Sequence, residues 1–353
     1  MTEVLIVINP GSTSTKFAVW SREYCVSEQV VRHEASQLAP RAVDQFDYRR
    51  ELIDQALEPL LKDSEVIGVV GRGGLLKPLA GGTYLVNQAM LGDLNLPTTG
   101  NHASNLGAIL AYHYAQRFRV DAFVVDPVTV DEFLPFSRPS GVVWFERKSR
   151  SHALNIKYSV NRAAHEIDKP LSRTRFVVAH LGGGTSIAAV QFGRIIDVND
   201  ALAGMGPYSP ERAGALPIGP LVKYVLESGA TYEQLIHELT KRSGLMAYCG
   251  TSDVREVMVQ IRNGNAQAAL AFGAMIYQDA KEIGAMAVAL QGQLDAVIIT
   301  GGLAHSHDVI QTLRPYIEHL GPIIVYPGEG ELEALAAGAF RVLDGVEPPI
   351  IYV

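Results

Sequence analysis

The sequence has little cysteine and no long apolar segment. Its two cysteines, Cys25 and Cys249, stand far apart and form no CxxC pair, which excludes a disulfide framework and a structural zinc site. No run of about 18 uncharged apolar residues occurs, and the N-terminus lacks the basic start of a secretory signal. The sequence therefore predicts a cytoplasmic protein with no membrane contact.

Positive charge and the common nucleotide-binding signatures are also scarce. Lys and Arg number 30 against 37 Asp and Glu, which gives a formal net charge of −7 and makes nucleic acid an unexpected partner. The chain contains neither Gly-Lys nor His-Arg-Asp, so the P-loop and protein-kinase signatures are excluded. A dinucleotide fold is disfavoured because no GxGxxG follows a predicted strand and opens a helix.

The length and the alternation of patterns indicate an α/β protein of two domains. A chain of 353 residues is long enough for two domains of about 150 residues each. Helical periodicity over residues 41–62 and 102–118 alternates with strand-like segments at 66–70 and 121–130. A polar, basic segment near residue 150 predicts the boundary, with domains at 1–150 and 151–330.

One motif occurs twice. Near the N-terminus, the apolar segment 4–8 leads into the turn-forming residues Asn9–Thr15 and a second apolar segment at 16–20. In the second half, residues 176–179 lead into the glycine-rich turn 182–184 and a further apolar segment at 187–190. The repetition predicts two halves with the same fold, each with a strand–turn–strand unit.

The second half contains further helices and glycine loops. Helices are predicted at 218–228, 231–242 and 266–291, and the last is rich in Ala and Gly, which suits either close packing within the domain or a dimer contact. Two apolar strands, 295–300 and 322–326, each run into a glycine loop. Ligands of open α/β sheets bind beyond the carboxyl ends of strands, so these loops are expected to line one cleft.

Several residues are candidates for phosphate chemistry. Residues 9–16 combine backbone N–H groups, hydroxyls and Lys16, a composition that suits phosphate oxygens, although a simple hairpin turn uses the same residue types. Arg72, Asp126 and His180 follow apolar strands, where a charged group is either paired structurally or reserved for a ligand. Arg212 lies in an irregular loop and could bind a carboxylate or phosphate in bidentate fashion.

Taken together, four segments resemble the acetokinase family of the actin-like ATPase superfold, and most closely its butyrate kinase branch. The resemblance extends over essentially the whole chain. The matching segments are Ile8–Lys16, His180–Ser186, Gly250–Arg255 and Ile299–Ser306. Three local differences from the acetate kinase pattern occur, around Arg72, at Gly302–Ser306 and at Gly330–Leu332.

The resemblance implies both the fold and the reaction. The expected fold is α/β, with two duplicated actin-like ATPase (ribonuclease H-like) domains, the nucleotide in the cleft between them, and the C-terminal segment 331–353 completing the N-terminal domain. The expected reaction is magnesium-dependent phosphoryl transfer between ATP and a short-chain carboxylate, with butyrate as the first choice, giving an acyl phosphate and ADP. A homodimer or higher homo-oligomer is expected, with only nucleotide and carboxylate as small-molecule partners.

The resemblance also implies roles for individual residues. Arg72, Asp126, His152 and Arg212 are expected to be catalytic. Nucleotide and phosphate contacts are expected from Asn9, Ser12, Ser14, Lys16, His180, Gly182, Gly184, Asp253, Arg255, Gly301, Gly302, Leu303 and Ala304. The acids expected to organise Mg²⁺ are Asp126 and either Glu329 or Glu331.

Two alternatives remain open from the sequence. Within the family, acetate, propionate or a branched acid could replace butyrate, because one methylene in an apolar pocket changes binding by only about 1 to 3 kcal/mol. From another class, the same superfold serves non-catalytic switches that ATP opens and closes. Acceptor-dependent turnover distinguishes an enzyme from a switch.

Overall fold

The computed structural model describes residues 2–96 and 100–353. The chain forms two compact units. The first unit contains the residues up to Val130 together with Gly330–Val353, and the second unit contains Asp131–Glu329.

A twisted sheet with helices forms the first unit. Its strands are β1 (Thr2–Pro10), β2 (Ser14–Trp20), β3 (Cys25–Arg32), β4 (Ser64–Arg72), β5 (Thr83–Leu85), β6 (Ala122–Val125) and, near the C-terminus, β12 (Ile350–Ile351). Its helices are α1 (Phe46–Leu57), α2 (Gln88–Asn95), α3 (Asn105–Phe118) and α11 (Glu331–Leu343). The strand order is β12-β5-β6-β4-β1-β2-β3.

The second unit has a smaller sheet and more helices. Its strands are β7 (Arg175–Leu181), β8 (Thr185–Gln191), β9 (Arg194–Val198), β10 (Ala296–Gly301) and β11 (Ile323–Pro327), in the order β11-β10-β7-β8-β9. Its helices are α4 (Ala153–Glu166), α5 (Ile218–Ser228), α6 (Tyr232–Lys241), α7 (Leu245–Cys249), α8 (Val254–Arg262), α9 (Ala266–Ala289) and α10 (His307–Ile317).

The two sheets share one connectivity. In the first unit β1 pairs antiparallel with β2 and parallel with β4, β2 pairs antiparallel with β3, and β4 pairs parallel with β6. In the second unit β7, β8, β9, β10 and β11 repeat these relationships in the same order. The duplicated strand–turn–strand motif therefore marks a duplication of the five-stranded core, and the predicted fold class is confirmed.

Each unit has its own hydrophobic core. In the first, β1, β4 and β6 supply fully buried residues such as Ile6 and Val69, which pack with Leu110 and Tyr114 of α3. The second core is dominated by β7, β10 and α9. The central strands of these mixed sheets read as continuous apolar runs because both of their faces are buried.

The strand predicted over residues 121–130 is shorter in the structure. The strand β6 ends at Val125, because Asp126 adopts a positive φ of 38° and Pro127 follows it. The sequence places the domain boundary at 150, whereas the contacts divide the chain after Val130. The intervening segment packs with the second unit, where Leu134 N–H and the Ser137 hydroxyl both donate to the carbonyl of Ile196.

No helix in the described part of the chain is long and apolar enough to cross a membrane.

Candidate active site

A pocket of about 250 Å³ opens in the first unit. The residues that line it come from β1 and β2, from the end of β4, from the chain just before α3, and from the start of α11. They are Asn9, Pro10, Gly11, Ser14, Lys16, Arg72, His102, Ser104 and Glu331. Two cationic side chains, one carboxylate and several hydrogen-bonding groups therefore surround a small space.

Glu331 is held between two of the predicted site residues. Its Oε2 accepts a hydrogen bond of 2.6 Å from Asn9 Nδ2, and its Oε1 forms an ion pair with Arg72 Nη1. The side chains of Arg72 and Glu331 are only 12% and 21% exposed, so little solvent screens their attraction. Glu331 also lies in the first turn of α11, where an acid is favoured by the helix dipole.

The strand register brings the other residues to the pocket. Asn9 lies opposite Lys16 in the antiparallel pair of β1 and β2, so the hairpin presents both at one end of the sheet. Arg72 ends β4, which lies beside β1. The glycine before it, Gly71, has no Cβ because that atom would meet the backbone carbonyl of Gly107 in α3. Close contact between strand and helix thus fixes the backbone from which Arg72 projects.

His102 is a pocket residue that the sequence analysis did not single out. Its Nδ1 lies 2.6 Å from Ser104 Oγ and accepts the backbone N–H of Ser104, so its hydrogen is on Nε2. Burial and the nearby charge of Arg72 lower the pKa of His102, which keeps the ring neutral at neutral pH. The feature of the sequence that could have identified His102 is its position just before a helix, because a helix N-terminus attracts anions.

Three other residues that were predicted to contact phosphate or Mg²⁺ do not line this pocket. Ser12 is exposed on the turn between β1 and β2. Asp126 is 5% exposed, and its Oδ1 accepts a 2.7 Å hydrogen bond from the N–H of Gly82. Glu329 belongs to the second unit, where its carbonyl accepts a hydrogen bond of 2.6 Å from Asn155 Nδ2.

Two histidines stack in the second unit. The rings of His152 and His180 are 3.9 Å apart between centroids and nearly parallel, at 11°. His152 Nδ1 lies 2.9 Å from Ser186 Oγ, and His180 Nδ1 lies 2.8 Å from Asn155 Oδ1. Because the Asn155 amide nitrogen donates to Thr300 and to a main-chain carbonyl, its oxygen accepts and His180 carries hydrogen on Nδ1. In this tautomer Nε2 of His180 carries a lone pair, and Gly182 lies close to this nitrogen.

Arg212 lies against the glycine-rich turn of the same unit. A Cβ on Gly184 would collide with the Arg212 guanidinium, so the absence of a side chain at Gly184 makes room for this cation. Arg212 Nη1 donates to the carbonyl of Ala201, while its buried Nε has no hydrogen-bond partner among residues 2–96 and 100–353. Burial lowers the pKa of Arg212, against the opposing effect of Glu211 and Asp200. An anion would satisfy such a guanidinium.

The predicted adenosine residues form two groups in the second unit. Asp253 caps α8, accepts the N–H of Arg255 at 2.8 Å and pairs with the Arg255 side chain. Hydrogen bonds from Arg255 lower the pKa of Asp253 to about 2. The second group, Gly301–Ala304, begins at the last residue of β10. Gly301 has a positive φ of 89°, which favours glycine, and an added Cβ there would also meet the Leu181 backbone.

Comparisons with known proteins identify the family. The model of the acetokinase family matches residues 144–324. A protein of Enterococcus faecalis named probable butyrate kinase is 46% identical over 352 residues, which cover 99% of this chain and 98% of that protein. The crystal structure of Porphyromonas gingivalis acetate kinase superposes with a TM-score of 0.77 at 18% identity, covering 97% of this chain and 100% of the other.

A propionate kinase from Francisella tularensis has the same fold. Its structure gives a TM-score of 0.72 at 20% identity and covers 96% of this chain and 100% of that chain. At such identities the two crystal structures establish the fold, and the family rests on the model match and the 46% identical relative. The chain belongs to the acetokinase family and is a phosphotransferase with a carboxyl group as acceptor.

Proposed function

We propose that this enzyme phosphorylates butyrate, converting butyrate and ATP reversibly to butyryl phosphate and ADP by direct in-line transfer. The observation that carries the proposal is the first unit's pocket, in which Arg72, Lys16 and Asn9 surround a space sized for a small anion. The choice of butyrate is supported by the 46% identical relative named probable butyrate kinase.

The chemistry of the acceptor explains why the pocket is cationic. A carboxylate with a pKa of about 4 to 5 is ionised at neutral pH, so it needs no general base to become a nucleophile. The difficulty is repulsion, because an anion must approach an anionic phosphate. Arg72 and Lys16 would lower this electrostatic cost, and the neutral His102 would donate a hydrogen bond.

The second unit supplies groups for the transferring phosphoryl group. We assign this role to Arg212, beside the glycine-rich turn at Gly182 and Gly184. His180 would donate to a phosphoryl oxygen only in a form in which Nε2 also carries a hydrogen. Charge spreads over the phosphoryl oxygens in the transition state, and a preorganised guanidinium stabilises it without reorganisation. His152 stacks on His180 and holds its ring in place. Asp253, Arg255 and Gly301–Ala304 are proposed to contact the adenosine.

Magnesium fits the donor set of the first pocket. Among residues 2–96 and 100–353, no three His, Cys, Asp or Glu side chains are grouped to hold a metal ion by themselves. In nucleotide-dependent enzymes Mg²⁺ keeps several waters and takes one or two protein carboxylates with phosphate oxygens. Glu331 meets this need. Asp126 does not line the pocket, so its role with Mg²⁺ stays a prediction. When bound, Mg²⁺ would neutralise charge on the phosphates of ATP.

The alternative acceptors within the family are acetate, propionate and branched acids. Family membership favours an enzyme over the non-catalytic switch. Because a single methylene contributes only about 1 to 3 kcal/mol, preference among these acids is a matter of rate ratios rather than of a different reaction.

Trapping the acyl phosphate with hydroxylamine tests the proposal. The purified enzyme is incubated with ATP, Mg²⁺ and, separately, acetate, propionate, butyrate, isobutyrate or isovalerate. The highest kcat/KM with butyrate supports the proposal. If another acid gives the highest kcat/KM, that acid is the preferred substrate instead of butyrate. Arg212→Ala should lose about 100- to 10,000-fold in kcat/KM. The matched control is Arg117→Ala, which removes a half-exposed arginine paired with Asp54 and Glu58 and should leave turnover unchanged.

We also propose a homo-oligomer and a cytoplasmic location. The long helix α9 carries exposed apolar side chains, including Leu270 and Val288, which suits the proposed homo-oligomer. Light scattering after size exclusion measures the mass, and a strict monomer would contradict the oligomer. The two free cysteines, Cys25 and Cys249, are compatible with the proposed cytoplasmic location.

A further inference from the structure

A buried arginine lies directly behind the turn that joins β1 and β2. Arg49, on α1, is 0% exposed. Its Nη1 donates to the carbonyl of Gly11 at 2.9 Å, to that of Ser14 at 3.3 Å and to Thr15 Oγ1 at 3.0 Å. Its Nη2 reaches the carbonyl of Ser12 at 3.4 Å. The guanidinium thus contacts four of the five residues of the 11–15 turn.

No acid neutralises this guanidinium. Within residues 2–96 and 100–353, no carboxylate forms an ion pair with Arg49, and its remaining donors go to Gln45 Oε1 at 2.7 and 3.0 Å. Burial lowers its pKa only to about 10, so Arg49 stays protonated at neutral pH. A buried charge without a counter-charge is costly and calls for a functional explanation.

The side chains next to Arg49 do not neutralise its positive charge. Thr15 Oγ1 accepts from Arg49, so its own hydrogen is free to go to His33 Nε2, which lies 2.8 Å away. The hydrogen of the His33 ring is then on Nδ1, and the ring is neutral. Burial and the charge of Arg49 lower the pKa of His33 to about 4, which agrees with this assignment.

The contacts with Arg49 also fix the direction of the peptide groups. In a trans peptide the N–H points opposite to the preceding carbonyl. Because the carbonyls of Gly11 and Ser12 face Arg49, the N–H groups of Ser12 and Thr13 point away from it. Both residues are exposed. N–H groups directed outward over a buried positive charge form a site suited to an anion.

We propose that Arg49 is a positioning residue for the nucleotide: it holds the 11–15 turn with its N–H groups outward, and its uncompensated charge strengthens binding of the ATP phosphates. Arg49 itself touches no ligand and acts through the turn. This inference rests on the proposed function, in which ATP is the phosphoryl donor, and on the phosphate contacts that the family resemblance implies for Ser12 and Ser14 of the turn. It does not depend on which carboxylate is phosphorylated.

The test compares substitutions at two adjacent arginines of α1. Arg49→Met removes the charge and all donors, and Arg49→Lys keeps the charge while losing the planar set of donors. The matched controls are Arg50→Met and Arg50→Lys, because Arg50 points to Asp54 and does not touch the turn. Dissociation constants for ATP are measured by titration calorimetry, and KM values for ATP and for the acid by acyl phosphate trapping.

The expected pattern is specific to the nucleotide. Arg49→Met should weaken ATP binding by about 10- to 100-fold, as expected for several hydrogen bonds to a charged group. Arg49→Lys should recover part of this loss, and the KM for the acid should change less than about threefold in both. A merely structural arginine would lower the melting temperature and leave the ATP constants of the folded protein unchanged.

Each outcome decides the inference. A folded Arg49→Met variant that binds ATP as the wild type does overturns it. If Arg49→Met does not fold, Arg49→Lys decides, because its expected ATP constant is several-fold weaker than that of the wild type, and an unchanged constant overturns the inference. A wild-type protein that binds ATP and forms no acyl phosphate contradicts the proposed function alone.

Discussion

Arg72 and Glu331 form an ion pair although 259 positions separate them in the sequence. The pair exists because α11 returns to the first unit, where Glu331 opens the helix beside the end of β4. Asn9 donates to the second oxygen of the same carboxylate. Removal of either charge breaks this ion pair and leaves the other side chain partly buried, so the geometry of each residue depends on the other.

The two C-terminal acids should differ in their effect on the magnesium requirement. Glu331 lines the pocket, whereas Glu329 lies in the second unit and is bound there through its carbonyl. We expect Glu331→Gln to raise the Mg²⁺ concentration for half-maximal activity by about tenfold or more, because it removes a carboxylate that Mg²⁺ favours. Glu329→Gln is the matched control and should stay near the wild-type value. A reversed order in Mg²⁺ titrations would assign the metal to Glu329.

Adjacent glycines in the second unit should respond very differently to alanine. At Gly184 the added methyl would displace the Arg212 guanidinium, whereas at Gly183 the nearest atom, of Glu211, lies 3.7 Å away. We expect Gly184→Ala to lower kcat/KM by about 100-fold or more, because the charge of Arg212 moves from its position. Gly183→Ala should remain within about threefold. Equal kcat/KM values for the two variants would argue against the role of Arg212.

The sequence revealed the duplication and most of the polar residues around the first pocket, but not all of them. Asn9 and Lys16 could be found because they follow an apolar strand and precede another. Arg49 could not, because on α1 it stands next to Arg50 and nothing local distinguishes a buried arginine from one at the surface. The hydrogen bonds that Arg49 donates to the 11–15 turn reach residues 34 positions or more away in the sequence.

The place of His102 in the pocket could not be predicted from the local sequence either. His102 begins a segment whose helical pattern was evident, yet its role depends on Arg72 and Glu331, which reach the pocket from distant parts of the chain.

The end of β6, in contrast, could be predicted from the local sequence. Asp126 and Pro127 already indicated an interruption, and the positive φ of Asp126 ends the strand there.

Two glycines in helices of the first unit should affect stability in opposite directions. Gly107 faces the backbone of Arg72 with no room for a side chain, while Gly92, inside α2, has nothing within 4 Å of an added Cβ. We expect Gly107→Ala to lower the free energy of unfolding by about 3 kcal/mol or more, because strand and helix must separate. Gly92→Ala should raise it by about 0.5 to 1 kcal/mol, since alanine loses less conformational entropy. Urea unfolding of both variants measures the difference, and a stable Gly107→Ala variant would contradict the close packing.

The neutral His33 beneath the 11–15 turn should make stability depend on pH. Its pKa is about 4 in the folded protein, against 6.5 for an ordinary histidine, because burial and Arg49 disfavour its charged form. Between these values the unfolded chain binds more protons, so the stabilisation is complete above pH 6.5 and is lost as the pH falls toward 4. Over pH 7 to 5, the free energy of unfolding of the wild type should therefore fall faster than that of His33→Gln, by at most about 1.4 kcal/mol per pH unit. Glutamine can still accept the Thr15 hydroxyl but does not titrate, so parallel curves for the two proteins would show that His33 is not kept neutral by the fold.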